Sequence, residues 1–274
     1  MKRFLIRALP FFILLAGIVL LLYPTVSEHI NSMHRSRAIK SYNDVVEDLS
    51  KEERESAIGK AREFNKKIAA TNGVLYHPEL VPGYDSTLDI TGTGIMAYIN
   101  IDKIGVELPV YHGVDENVLQ IAAGHLPGTS LPVGGESTHC VISGHRGLPS
   151  ARLFTDLDKM EIGDTFTLTV MSEVLTYQVD RITVVKPYEV DDLFVKDGKD
   201  YCTLFTCTPY GINTHRLLVR GKRIETVEED QYHAYVASDV FIISPMIIAA
   251  AIAIPVLVIL FILVMIGGGK KKNE

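Results

Sequence analysis

The sequence predicts a mainly β domain, folded as a closed or nearly closed barrel, behind a helical stalk and between two membrane-spanning helices. Three observations carry that expectation. Short apolar or alternating runs recur at 95–101, 106–111, 138–143, 165–170, 174–185, 202–207 and 215–220, separated by turn-rich stretches such as LPGTSLPVGGE and CTPYGIN. Many short strands with few helices favour a barrel, the architecture that leaves no strand edge unpaired. The hydrophobic share of 47% is also uneven, because two apolar blocks near the ends hold much of it.

The first block, residues 4–23, is interrupted only by Arg7 and Pro10, and the second, 241–266, holds no charged residue. Either is long enough to cross ~30 Å of hydrocarbon as a helix. The first also has the basic start and apolar core of a cleaved signal peptide, which is its competing reading. The PTVSEHI stretch after it has no small-x-small cleavage pattern, which favours an uncleaved anchor. The second block runs into Gly267-Gly268-Gly269 and Lys270-Lys271-Lys272, the look of a stop-transfer segment rather than a buried soluble helix. Lys2, Arg3 and Arg7 precede the first span and the lysine triplet follows the second, so the positive-inside rule puts both termini in the cytoplasm. The expected layout is an anchor at 1–23, a stalk at 24–75, a loop at 76–94, the barrel at 95–230, a linker at 231–240, the second span at 241–266 and a basic tail at 267–274. The net charge of −6 lends no support to nucleic-acid binding.

Residues 26–70 read as solvent-facing helix. Ser50-Lys51-Glu52-Glu53 has the capping-box pattern that starts a fresh helix, expected to run to Ala70. Its apolar positions, Ala57, Ile58, Ala61, Phe64 and Ile68, suit a stalk that packs on the domain. Residues 71–94 are rich in Gly, Pro, Thr and Asp and read as an extended loop, with 76–94 the candidate lid over the barrel.

Three cysteines are too few for a disulfide framework, and an odd count outside the membrane leaves one thiol unpaired. Cys207 ends the run Tyr-Cys-Thr-Leu-Phe-Thr-Cys just before a turn, the placement of a nucleophile. Cysteine is intrinsically nucleophilic and gains further from a neighbouring imidazole or guanidinium. His145 follows the strand-like Cys140-Val141-Ile142 within Ser-Gly-His-Arg-Gly, and an imidazole titrates where general acid/base work needs it. Arg216 opens the last strand nine residues after Cys207, where a fixed cation can hold an oxyanion. Taken one at a time, an inert buried thiol and a surface-turn histidine remain the ordinary readings.

Together the segments TLFTCTPYGINTHRLLVRG (203–221) and THCVISGHRGLPSARLFTDLDK (138–159) resemble the sortase family, over about residues 95–221. They look most like its class C, pilin-polymerising branch, which also shares the stalk and the C-terminal span. The resemblance implies a barrel of about eight strands, with Cys207, His145 and Arg216 in the catalytic positions and Thr206 in a position that lines the substrate groove. It implies acyl transfer without a cofactor. Cys207 cleaves an LPxTG-like sorting signal between Thr and Gly, and the thioester passes to a lysine amine of another pilin or to a cell-wall amine. The implied partners are therefore pilins or surface proteins bearing such a signal. No metal site is expected: His139 and Cys140 are adjacent in a strand and so point to opposite faces.

The chain departs from the branch at its lid. Class C members usually carry an Asp-Pro-aromatic tripeptide ahead of the barrel, and residues 71–94 have none; His77-Pro78-Glu79 and Tyr84-Asp85 come nearest. The loop is expected beside the groove as a weak gate. A sortase that anchors single proteins to the wall and a non-enzymatic membrane scaffold are the competing functions. By the same resemblance the strands leading to His145 and Cys207 lie parallel, which sets Cys140 and Cys202 at equal depth. That pair is expected as free thiols, with a disulfide as the alternative, and Cys207 is the unpaired one either way.

Overall fold

A 47-residue helix, α1 (Lys2–Asp48), opens the chain and runs without a break through Pro10 and Pro24. The computed structural model describes residues 2–227 together with two helical pieces of the C-terminal segment, 253–259 and 261–262. The expected linker at 231–240, the basic tail at 267–274 and most of the span at 241–266 lie outside the described residues. Within α1, Leu9–Asp48 contains a window of mean hydropathy 2.3 with none of it buried, so this helix is long and apolar enough to cross a membrane. Anchor and stalk are one continuous helix, although each interior proline removes an N–H from the ladder.

The far half of α1 lies on the barrel. Ile39, Tyr42 and Val46 are almost fully buried there, on one helical face. The Tyr42 hydroxyl donates to the carbonyl of Met96 (3.2 Å) and accepts from the backbone N–H of Met171 (3.0 Å). Both groups sit at irregular backbone. Met96 falls where the first strand's register shifts, and Met171 is a tight-turn residue with φ of 48°. Such positions have no ladder partner, so a buried side chain has to supply one.

The second helix, α2 (Lys51–Ala70), begins with the expected capping box. The Ser50 N–H donates to the Glu53 carboxylate (2.8 Å), and the Glu53 N–H donates to the Ser50 hydroxyl (3.2 Å). Ile58, Ala61, Phe64 and Ile68 are buried as expected, and Asn65 joins them. Its amide donates to the Leu131 carbonyl (3.1 Å) and accepts from the Leu131 N–H (2.7 Å), which fastens α2 to the barrel.

The strands are β1 (Ile95–Ile101), β2 (Val106–His112), β3 (Ala123–His125), β4 (Thr138–Ser143), β5 (Thr165–Val170), β6 (Glu173–Val185), β7 (Asp200–Thr208) and β8 (His215–Arg223), with a single-turn helix α3 (Glu116–Leu119) before β3. They close in the order β1-β2-β3-β4-β7-β8-β6-β5, and β5 returns to β1. Two pairs are parallel, β2 with β3 and β4 with β7; the others are antiparallel. Seven strands fall on the expected runs, and the eighth, β3, adds three residues at a position that carries no alternating pattern.

The β4–β7 pairing sets two of the three cysteines side by side. Cys140 stands opposite Cys202, and both are buried as free thiols in the main core. Side chains alternate between faces along a strand. Cys140, Ile142, Cys202 and Leu204 therefore fill the barrel interior, while Val141 and Phe205 join a second, smaller apolar cluster on the outer face.

Tyr42→Phe should cost about 1–3 kcal/mol, the usual penalty for stranding buried backbone groups. The expected result is a lowered Tm for the intact chain with secondary structure unchanged. An unchanged Tm would show that the hydroxyl is dispensable.

Candidate active site

Parallel pairing sets two strand ends level. Ser143 is opposite Phe205, and the ladder continues one step further, with the Gly144 N–H donating to the Phe205 carbonyl (3.1 Å). His145 lies two residues past Ser143 and Cys207 two past Phe205, so both come to the same end of the barrel. Arg216 is the direct partner of Cys207 across the antiparallel β7–β8 pair. One sheet end thus gathers all three residues that the sequence singles out, and the register alone does it.

The supports around them are specific. A Cβ on Gly144 would meet the ring of buried Phe154 at 2.6 Å, so only glycine lets that ring pack beneath the turn into His145. The Phe154 N–H donates to the His145 carbonyl (3.1 Å). Arg146 spans the site's rim: Nε donates to the Thr155 carbonyl (3.2 Å), Nη1 to the Thr208 hydroxyl (3.1 Å) and Nη2 to Asp158 (2.6 Å). It ties the end of β7 to the loop after β4. Thr206 is 1% exposed, and its hydroxyl donates to the Gly144 carbonyl at 2.6 Å. Strand alternation places it on the face opposite Cys207, locking β7 to the residue before His145.

Cys207 is half-buried, while Cys140 and Cys202 are sealed in the core. Burial first, then the neighbouring Cys140 thiol, pushes the Cys202 thiol well above its ordinary pKa, which leaves it protonated and unreactive. Arg216 uses Nη1 to donate to the carbonyls of Asn213 and His215, both at 3.1 Å. Among the described residues its Nε and Nη2 have no protein acceptor. The His145 ring is 26% exposed, and its Nε2 stands 3.4 Å from Glu116 Oε2 at the start of α3. No hydrogen bond joins the two, and that buried nitrogen stays unsatisfied among the described residues. A hydrogen bond from Gln120, and then the nearby His145 ring, hold the Glu116 carboxyl below the usual range. The sequence alone does not single out Glu116, Arg146 or Phe154. Arg146 and Phe154 lie inside the long motif around His145, whereas Glu116 sits far off in the chain with no pattern to flag it.

The loop before the barrel contributes in two ways. Tyr84 is an anchor rather than a plug: its hydroxyl donates to the His125 carbonyl (3.0 Å) and accepts from the Gly113 N–H (2.9 Å). Its ring packs on Phe64, His112 and His125. Upstream, Val74 and Leu75 lie so close to Gly128 that a Cβ there would be 2.5 Å from the Val74 carbonyl. Leu75 then packs against the outer-face cluster of Val141, Leu193, Leu218 and Phe205, and the Tyr76 ring is 6.2 Å from that of Phe194. His77-Pro78-Glu79 forms an exposed turn closed by a His77–Glu79 contact of 3.1 Å. His139 and Cys140 do point to opposite faces, the first bonded to Thr203 and the second among the core residues.

Gly144→Ala should displace the Phe154 ring or the His145 turn. The expected result is at least a ~10-fold loss of activity at the site with Tm lowered, since overpacking a filled core costs about 1–3 kcal/mol. Wild-type activity in this variant would show that the turn is free to move.

A family model described as the Sortase domain matches residues 99–224. Sortase C1 from Streptococcus agalactiae is 49% identical, with 70% of this chain covering 100% of that one at a TM-score of 0.64. Sortase C from Streptococcus pneumoniae, whose structure concerns catalysis and pilin substrate specificity, is 44% identical over 69% of this chain and 97% of its own, at a TM-score of 0.63. Sortase D from Bacillus subtilis is 28% identical over 46% of this chain; the chain spans 62% of that curated relative, and 55% of sortase A from Streptococcus agalactiae. With a closed barrel of this order and class C structures among its neighbours, the chain belongs to the sortase family.

Proposed function

We propose that this chain is a membrane-anchored cysteine transpeptidase of the pilin-polymerising kind. The observation that carries it is the convergence of Cys207, His145 and Arg216 at one end of the β4–β7–β8 sheet. Cys207 gives its thiol proton to His145 as Sγ attacks the carbonyl carbon of the threonine in an LPxTG-like signal, and the resulting oxyanion is met by the unengaged edge of the Arg216 guanidinium. The C–N bond to glycine breaks as His145 protonates the leaving amine, which leaves a thioester on Cys207. A lysine amine of the next pilin attacks that thioester and gives up a proton to His145, which passes it to the departing Cys207 sulfur as the C–S bond breaks and the isopeptide bond is left formed. Each side chain acts on the atom that changes charge, so the step needs no further group.

Two-pass anchoring belongs to the same reading, with both termini cytoplasmic and the barrel outside. The flanking lysines and arginines support it, as does the helical piece at 253–259 and 261–262 lying along α1. There Phe261 stacks on Phe11 at 4.1 Å, and Leu14 and Ile18 line one small apolar cavity together with Ile254 and Leu257.

Cys207→Ala should abolish both thioester trapping and product formation. His145→Ala and Arg216→Ala should each cost about 10²-fold or more, the scale of a general acid/base or of an oxyanion donor. Incubation with a pilin then separates the modes of transfer. A ladder of covalent polymer supports polymerisation, single wall-linked products support anchoring, and unimpaired transfer by Cys207→Ala would overturn the assignment.

The strap formed by Leu75 and Tyr76 lies on the same outer face as Cys207 and acts as a weak gate. Paired Leu75→Ala and Tyr76→Ala changes should raise hydrolysis of a model peptide by only a few-fold, because one leucine contact amounts to about 1.5–3 kcal/mol before the strap's own ordering cost is subtracted. A rise of several orders of magnitude would mark a closed lid instead.

A further inference from the structure

The connection between β6 and β7 is held down at its middle by a buried histidine outside the triad. His139 on β4 is 0% exposed. Its Nδ1 lies 3.1 Å from the Phe194 carbonyl and its Nε2 2.7 Å from the Thr203 hydroxyl. A carbonyl only accepts, so Nδ1 carries the hydrogen and Nε2 accepts from Thr203. Burial first, with the nearby Arg220 cation helping, pushes the ring down to about 4, which keeps it neutral and this tautomer in place. The same connection is fastened at two further points, one near its middle and one near its end. Gly198 N–H donates to the Ser137 hydroxyl (2.9 Å), and Arg181 pairs with Asp192 (2.9 Å).

What His139 fixes is the face that leads to the thiol. Thr203, Phe205 and Cys207 alternate onto one side of β7. Next to Phe194, Leu193 is 3% exposed and packs with Val141, Leu218 and Phe205 on that side. Phe194 itself is 37% exposed at the edge. We infer that His139 is a positioning residue for peptide recognition: through Nδ1–H and the Phe194 carbonyl it sets the wall formed by residues 190–198 beside the apolar floor that runs to Cys207. The inference deepens the transpeptidase reading and rests on it for the identity of the peptide, while the wall's order does not depend on that reading.

Asparagine places an amide nitrogen where Nδ1 stands, and glutamine reaches only the Nε2 position. The test compares His139→Asn, His139→Gln and His139→Ala in the full chain in detergent, with an LPxTG-like peptide. It reads kcat, KM, alkylation of Cys207 by iodoacetamide and amide hydrogen exchange over 190–198. Gln and Ala should raise KM about 10-fold, with kcat and Cys207 alkylation within about 3-fold, and should speed exchange at 190–198. Asn should stay within about 3-fold of the parent in all four. Should the Ala variant fail to fold, Asn against Gln carries the same comparison. A fall in kcat at constant KM, Asn as impaired as Gln, or unchanged exchange at 190–198 would overturn the inference. If the parent turns over no peptide yet exchange still separates Asn from Gln, the transpeptidase reading fails and the positioning role of His139 stands.

Discussion

The parallel pairing of β4 with β7 is the constraint on which the site depends. Parallel neighbours advance together, so residues at equal distances past a paired position arrive at the same level. Ser143 opposite Phe205 therefore brings His145 to Cys207, though the two are far apart in sequence. An antiparallel pair would have sent the two chain ends to opposite rims. Parallel strands cannot be joined by a tight turn and need a long crossover. Here β5 and β6 fill that crossover and close the barrel on its other side. The same connection returns as the β6–β7 segment across the outer face, so the pairing that aligns the catalytic candidates also creates a wall next to them.

Closure then divides labour between the two faces of each strand. With no free edge, every strand can bury one side and keep the other for chemistry. On β7, Cys202 and Leu204 face the core, whereas Thr203, Phe205 and Cys207 face out. Thr206 sits on the inner side, between two outward-facing neighbours, and spends its hydroxyl on the Gly144 carbonyl. That bond supplies a partner for a buried acceptor at the point where β4 leaves the ladder. The histidine turn is thereby pinned from beneath by Thr206 and from the side by the Phe154 ring, while Arg146 holds the rim.

Much of this is legible in the sequence. Strands with alternating runs over five or more residues can be placed within a few residues of their ends, because burial on one face imposes period two. The capping box at Ser50 marks the start of α2 for the same kind of reason: its two bonds are local. The features that escape lack a local signature. β3 is three residues, Ala-Gly-His, too short to show a period, and it exists because β2 and β4 leave a gap that it fills. The anchor at 1–23 and the stalk at 24–75 are expected as separate segments, yet α1 runs through both, with Pro24 inside it. Tyr84 has the look of a lid element in the sequence. Its role as an anchor depends on His125 and Gly113, partners that only the closed barrel brings within reach.

The two buried thiols show how far spacing can carry an argument. Given the parallel strands that the family resemblance implies, equal offsets of five from His145 and Cys207 imply equal depth, and the register sets Cys140 opposite Cys202. Equal depth does not decide bonding, because a disulfide also needs aligned Cβ directions. The free pair instead leaves Cys207 as the one cysteine with access to solvent, half-buried at a strand end beside a guanidinium, while the other two are sealed in the core. Reactivity is separated from packing by parity alone: one residue step along β7 turns a side chain from the core, where a thiol behaves as a small apolar filler, to the face where it can meet a substrate.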